Sequence, residues 1–295
     1  MTGSPDTRRS VLVAGGTGFI GGWIVKELRQ SGNHVVAVGR QGLGHALLEE
    51  YDAIVWSAGG PGKDSSELHE QHVAGPLRAM SSLREAGHFV YLSSGQVYGA
   101  IEVPFVETAR TQATSPYALA KLEGEKCLGE LAMSEGKRFT SLRVSLAYGP
   151  GQSGGMFVPS LLDHLAKRIP FETTAGEQTR DYIFVSDIAK AVTSSLSSPN
   201  PGGLLNLGSS EEAALKDVAT AITTAFDQRF GTESQHLLKL GALDYRESEQ
   251  MRYVLSMYKA KELLGFVSKV SLKQGIEHLI REFHAPESLL TGRRS

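Results

Sequence analysis

The sequence predicts an α/β protein, a Rossmann-type doubly wound parallel sheet with a second, smaller C-terminal domain, and three observations carry that prediction. An apolar run from Val11 to Ala14 breaks at Gly15-Gly16-Thr17-Gly18 and passes into Ile20, Trp23, Ile24 and Leu28, whose near-helical spacing gives a helix one apolar face. Further strand-like runs at His34 to Val38, Ile54 to Trp56 and Phe89 to Leu92 are separated by helical stretches, the pattern of a parallel sheet. The chain of 295 residues exceeds one average domain, and its 33 glycines suit many tight strand-to-helix turns.

Taken in order, the first strand ends in Gly15, Gly18 and Gly21, a G-x-x-G-x-x-G spacing. Glycine lets the backbone turn tightly and approach a pyrophosphate, while the free N–H groups and positive end of the following helix meet its charge. Gly15, Thr17, Gly18, Phe19 and Ile20 are therefore candidate cofactor-binding residues for a dinucleotide. The second strand, Val35 to Val38, ends where an acidic residue would accept from the ribose 2′-hydroxyl of NAD. Here it is followed by Gly39 and Arg40, which favour the 2′-phosphate of NADP (NADPH). The next strand, Ile54 to Trp56, closes with Ser57, Ala58 and Gly59, also assigned to the cofactor. Only residues 41–51 intervene, too few for a helix, a strand and a second helix, so one peripheral unit of the sheet is expected to be missing and His34 to Val38 to form an edge.

A helical stretch from Leu68 to Glu85 leads to the strand Phe89 to Leu92, which ends in Ser93-Ser94-Gly95-Gln96-Val97-Tyr98-Gly99. Ser115-Pro116 opens a helix that runs to about Ser134, proline being suited to a first helical turn. Tyr117 and Lys121 lie four apart and so on one face of that helix. Alone such a pair is usually a surface pair; after a glycine turn and a serine-ended strand it points to a Ser-Tyr-Lys catalytic set.

Charge and composition narrow the partners. With 30 basic and 32 acidic residues and a net charge of −2, nothing argues for nucleic acid or a membrane. A single cysteine, Cys127, allows no intrachain disulfide and fits a reducing compartment. Nine histidines show no ligand spacing, so no metal site is expected. Thr7-Arg8-Arg9-Ser10 resembles a twin-arginine export signal in outline, but the uncharged run behind it is short and rich in glycine, and a cytoplasmic protein is expected.

Over residues 10–283, through GGTGFIG, LSSGQVYG, YALAK, LRVSLAYGPGQ and GEQTRDYIFVSDIA, the chain resembles the extended short-chain dehydrogenase/reductases, in particular the nucleotide-sugar epimerase, dehydratase and ketoreductase branch. The resemblance implies that Ser94, Tyr117 and Lys121 are catalytic, with Tyr117 and Lys121 also touching the cofactor. It implies that Ser94, Gln96, Phe157, Arg180, Arg246 and Glu249 meet the substrate, and that helices containing Leu77 and Leu119 form a homodimer. The implied organisation is a cofactor-binding domain over 10–152, with 180–207 returning to it, and a nucleotide-sugar domain over 153–179 and 208–285. Two positions depart from the family pattern: His72 stands where an asparagine is usual, and Ser94-Gly95-Gln96 lacks the acid and base with which 4,6-dehydratases eliminate water. The C-terminal stretch GALDYRESEQMRYVLSMYKAKELLGF most resembles reductases of nucleotide-linked 4-keto-deoxysugars such as CDP-abequose and CDP-paratose synthases. The expected activity is NADPH-dependent 4-ketoreduction in deoxysugar biosynthesis, with an NAD-dependent 4-epimerase as the alternative.

Overall fold

The apolar runs Val11 to Ala14, Ile54 to Trp56 and Phe89 to Leu92 form strands buried on both faces, as a parallel sheet covered by helices requires, whereas His34 to Val38 is largely half-buried. The structure, a computed structural model, describes residues 8–200, 202–247 and 249–286. Described residues within Met1–Ser145, Val185–Leu207 and Leu255–Val267 form one compact unit, and those within Leu146–Phe184, Gly208–Val254 and Ser268–Ser295 form a second.

The first unit begins β1 (Ser10–Ala14), α1 (Phe19–Gln30), β2 (His34–Val38), α2 (Leu43–Ala46), β3 (Tyr51–Trp56), α3 (Ser65–His69), α4 (Gly75–Met80), β4 (Leu83–Ser94), α5 (Pro116–Ser134) and β5 (Arg138–Val144). The second begins β6 (Leu146–Tyr148), α6 (Phe157–Lys167), β7 (Phe171–Thr173) and β8 (Thr179–Phe184). α7 (Val185–Ser197) and β9 (Gly203–Leu207) belong to the first unit, and β10 (Glu212–Ala214), α8 (Leu215–Phe230), β11 (Leu238–Leu240) and β12 (Arg252–Tyr253) to the second. α9 (Tyr258–Leu264) then joins the first unit and α10 (Leu272–Glu282) the second.

Six parallel strands run in the order β2-β1-β3-β4-β5-β9. Leu12 pairs with Val36 on one side and Ile54 on the other. One face is sealed by Leu12, Ile54, Trp56, Phe89 and Tyr91 against Leu128 of α5. Each such fully buried side chain is worth about 1.5–3 kcal/mol relative to exposure. Only the four-residue α2 separates β2 from β3, and β2 is the sheet's edge, as the short link required.

The helix expected from Leu68 to Glu85 is instead two short helices joined by a π turn over Glu70–Ala74, and it ends at Met80. The cause is local. The Gly75 N–H donates to Glu70 O, five residues back, and Pro76 has no N–H to give His72 O. Core aromatics take the carbonyls thus released: Trp56 Nε1 donates to Gln71 O at 2.9 Å, and Tyr91 Oη to His72 O at 3.0 Å.

In the second unit β8 is flanked by antiparallel β10 and parallel β12 and also pairs with β6, while β7 and β11 form a small separate ribbon. Its core gathers Leu161 of α6, Phe184 of β8, Ile222 and Phe226 of α8 and Leu279 of α10. Among the described residues no helix is long and apolar enough to cross a membrane, and no group of three or more His, Cys, Asp or Glu side chains is placed to hold a metal.

Two buried histidines make the fold acid-sensitive. His88 donates or accepts at Nε2 with Thr140 Oγ1 (2.9 Å) and is held down at about 3, by burial first and then by Arg138 and Arg9. His72 is held down at about 4, by burial first and then by the Lys121 charge. Both pKa values lie below the unfolded value, so the stabilisation is present above about pH 6.5 and is lost as pH falls towards about 4 and 3. For His72 the loss is about 3 kcal/mol at about 1.4 kcal/mol per pKa unit. Denaturant midpoints measured from pH 7 to 4 should fall steeply, and less steeply in His88→Gln; equal slopes would contradict this.

Candidate active site

The turn after β1 admits only glycine at its two closest approaches. Gly15 has φ +80°, and a Cβ there would lie 2.6 Å from Ala58 N; a Cβ on Gly21 would lie 2.0 Å from Gly15 O. Gly15 and Gly16 N–H both donate to Val38 O, at 2.8 and 3.0 Å, which ties the turn to the end of β2. Gly18 is the N-cap of α1 and offers no capping side chain, and the first turn holds no acid. The result is a helix end with donors facing a cleft of about 480 Å³. Gly15, Thr17, Gly18, Phe19 and Ile20 line this cleft, with Arg40 from beyond β2 and Ser57, Ala58 and Gly59 from beyond β3. Such a donor set, free of backbone-covering side chains, fits the pyrophosphate of a dinucleotide.

Ser94, Tyr117 and Lys121 come together in the same unit, from the end of β4 and the first turns of α5. Ser115 caps α5 by accepting from Ala118 N at 3.1 Å, and Pro116 occupies its first turn, so the helix starts where Tyr117 needs to be. Burial pushes the Tyr117 phenol up to about 12, and its hydrogen bond with Ser94 works the other way. Ser94 Oγ is itself positioned by accepting from Gln96 N at 3.2 Å. Lys121 is buried; its Nζ donates to Leu92 O at 2.6 Å and lies 4.8 Å from the Tyr91 ring centroid and 5.7 Å from that of Tyr117. Burial pulls this ammonium down to about 7, against the opposing charge of Glu125. The arrangement supplies a protonated phenol, a hydroxyl beside it and a cation that titrates near neutrality. That set is suited to giving a proton to an oxygen on which negative charge develops.

His72, placed by the π turn, sits edge-on to Tyr117 with ring centroids 5.3 Å apart. Its Nε2 lies 3.0 Å from Gly60 O and so carries the proton; buried Nδ1 has no hydrogen-bond partner among the described residues. A Cβ on Gly59 would lie 2.4 Å from His72 Cε1, so the histidine fits only because position 59 is glycine. Gly124 is likewise required, since a Cβ there would lie 2.1 Å from His72 O.

Sequence reasoning missed the support behind Lys121. Glu125, one turn along α5, is fully buried and takes Arg143 through Nε (3.0 Å) and Nη2 (2.7 Å). The Arg143 guanidinium stacks over Tyr98 at 4.9 Å, and Tyr98 Oη donates to Asn206 Oδ1 at 2.7 Å. The i, i+4 spacing of Lys121 and Glu125 was a readable signal. The partners Arg143 and Asn206, brought in by neighbouring strands, were not.

The remaining predicted substrate residues fall differently. Gln96 is exposed beside Ser94. Phe157, Arg180, Arg246 and Glu249 all belong to the second unit. Phe157 starts α6 and packs edge-on to Phe171 at 5.6 Å, against that unit's core. Arg180 is paired with Glu249 through Nη2, while its Nη1 donates to Thr179 O and Gln250 O at 2.8 and 2.7 Å. Arg246 is exposed, and its carbonyl accepts from Glu249 N at 2.9 Å.

The model of the "NAD dependent epimerase/dehydratase family" matches residues 11–208. The chain is 29% identical over 245 residues to the uncharacterized UDP-glucose epimerase YtcB of Bacillus subtilis, covering 80% of this chain and 75% of that one. It is 24% identical over 301 residues to the CDP-abequose synthase of Salmonella typhimurium, covering 92% and 97%. Among solved structures, MoeE5 in complex with UDP-glucuronic acid and NAD matches with a TM-score of 0.80 at 25% identity, over 92% of this chain and 98% of that one.

Proposed function

The chain belongs to the NAD dependent epimerase/dehydratase family, and on that premise we propose that it reduces the ketone of a nucleotide-linked 4-keto-6-deoxyhexose with NADPH. The observation that carries this reading is the Ser94–Tyr117–Lys121 set beside Gly95 and Gln96: a proton donor for an alkoxide, without the carboxyl groups at 95 and 96 that elimination of water would need. The nucleotide-sugar class is supported by the likeness to MoeE5, and the reductase by a similarity to CDP-abequose synthase that spans nearly all of both chains.

The nicotinamide ring, when bound, supplies the hydride. The chain does the rest. The N–H groups of the α1 terminus, with Thr17, would hold the pyrophosphate, while Gly18, whose own N–H donates to Gly15 O at 2.9 Å, lets it approach the backbone; Ser57 to Gly59 wall the cleft on the side of His72. Ser94 donates to the carbonyl oxygen as charge develops there, and Tyr117 transfers its phenolic proton to the same oxygen. Lys121 stabilises the phenolate left behind. The second unit is assigned the nucleotide sugar, with Glu249 holding the Arg180 guanidinium in place. A homodimer through α4 and α5 belongs to this reading, supported by Leu119 (50% exposed) and Met133 (80% exposed) on α5.

An NAD-retaining 4-epimerase is the second reading, favoured by the similarity to YtcB and by the NAD in MoeE5. The choice between them turns first on Arg40. Its guanidinium is exposed at the cleft, where Gly39 offers no acid to a ribose hydroxyl. Arg40→Ala should weaken NADPH binding by about 1.5–3 kcal/mol, the scale of a charged hydrogen bond, and leave NADH almost unchanged. Fluorescence titration of both cofactors checks this; equal losses would mean that Arg40 stacks on adenine instead of pairing with phosphate.

A further inference from the structure

Arg40 meets a carboxylate across the cleft. Its Nη2 lies 2.9 Å from Glu67 Oε1, and both residues line the same cavity, Arg40 from beyond β2 and Glu67 from α3. The two partners are held very differently. The Arg40 side chain is 79% exposed, and its one described hydrogen bond is to Glu67. Glu67 is fixed without it: Oε2 accepts from Lys63 N at 2.9 Å and Oε1 from Gln71 Nε2 at 2.8 Å, while Asp64 caps the same turn through Glu67 N at 2.9 Å. The hydrogen bond from Lys63 N, ahead of that from Arg40, keeps the carboxyl below its ordinary range, so it is charged at neutral pH. The other acid of this cleft, Glu70, is engaged by Arg78.

The missing strand of the sheet explains the placement. With β2 at the edge and only α2 before β3, the wall that faces the end of β2 comes from α3. An acid absent from the end of β2 is thus supplied from a different element, opposite a cation that an anionic ligand would also seek. Exposed ion pairs of this kind are weak and exchange partners readily. A phosphate dianion, with more charge and a geometry that suits the guanidinium fork, competes well for Arg40. Once there it stands close to a carboxylate that its own turn holds in place, and like charges repel. A ribose 2′-hydroxyl, by contrast, has a proton to donate to that carboxylate.

We propose that Glu67 is the specificity-determining residue of this cleft: its carboxylate occupies on Arg40 the place that a cofactor 2′-phosphate takes, and so sets how strongly NADPH is preferred over NADH. The inference rests on the reading above, in which Arg40 faces the 2′-substituent.

The test is Glu67→Gln in the full chain, which keeps the side chain's length and removes its charge. Dissociation constants for NADPH and NADH are measured by fluorescence titration at one ionic strength, beside the wild type and Arg40→Ala. NADPH should bind more tightly and NADH more weakly or equally, raising the NADPH-to-NADH preference by about tenfold, the scale expected when one nearby like charge is removed. A preference that does not move overturns the proposal, as does an equal loss for both cofactors, which is what a merely structural role for Glu67 gives. The reading of Arg40 fails separately. If the wild type favours NADH and Arg40→Ala spares NADPH, that reading falls, yet a selective loss of NADH in Glu67→Gln still identifies Glu67 as the selector.

Discussion

Tyr117→Phe is expected to lower turnover by about 10²- to 10⁴-fold, the range for loss of a general acid, with cofactor affinity close to wild type. Burial raises the phenol to about 12, so at neutral pH it is fully protonated and ready to give its proton to an oxygen gaining charge. Ser94 remains in the variant as a hydrogen-bond donor, but its hydroxyl is too weak an acid to replace the phenol. Phenylalanine keeps the ring that stands edge-on to His72, and the Lys121 Nζ keeps its bond to Leu92 O, so the fold and the glycine-lined cleft should be undisturbed. Turnover, cofactor titration and the thermal midpoint measured together check this. Turnover near wild type would remove Tyr117 from the chemistry.

Lys121→Met should reduce both cofactor affinity and turnover, the latter by about 10²-fold or more. Methionine fills the volume but leaves Leu92 O without its buried donor and takes the cation away from the Tyr117 and Tyr91 rings. It also leaves the Glu125 carboxylate with Arg143 as its cationic partner. The distinguishing readout is the pH profile of turnover. Lys121 is pulled down to about 7 by burial, so its charge is gained as pH falls through neutrality and lost as pH rises. The wild-type profile should therefore bend near pH 7, and the variant should lose that bend while the remaining activity depends on the high-pKa phenol alone. A profile with its inflection unmoved would assign the titration to another group.

How much of this was legible in the sequence varies with how local each interaction is. The glycine turn, the start of α5 at Ser115-Pro116 and the edge position of β2 were readable because each depends on a few neighbouring residues or on a link too short to hold more structure. The break of the Leu68–Glu85 helix was also local in cause, since Pro76 cannot donate to His72 O. It is not legible in the sequence because one proline in a long helical pattern does not announce a π turn, and because the acceptors' new partners, Trp56 and Tyr91, lie on other strands. The site shows the same division. Ser94, Tyr117 and Lys121 stood out by spacing and resemblance, whereas the Arg143–Glu125 pair, the free Nδ1 of His72 and the Glu67–Arg40 bridge are products of the fold. Arg180 and Glu249 were named separately from motif likeness; that they hold each other needed the β8–β12 pairing, which brings residues 69 apart in sequence together.

The most direct test of the proposed reduction follows the hydride. Given a nucleotide-linked 4-keto-6-deoxyhexose, the purified protein should oxidise NADPH stoichiometrically, and deuterium from labelled NADPH should appear at C4 of the product sugar. Interconversion of two fully reduced nucleotide sugars without added NADPH, by protein that carries tightly bound NAD through purification, would contradict the reductase account and establish the epimerase in its place.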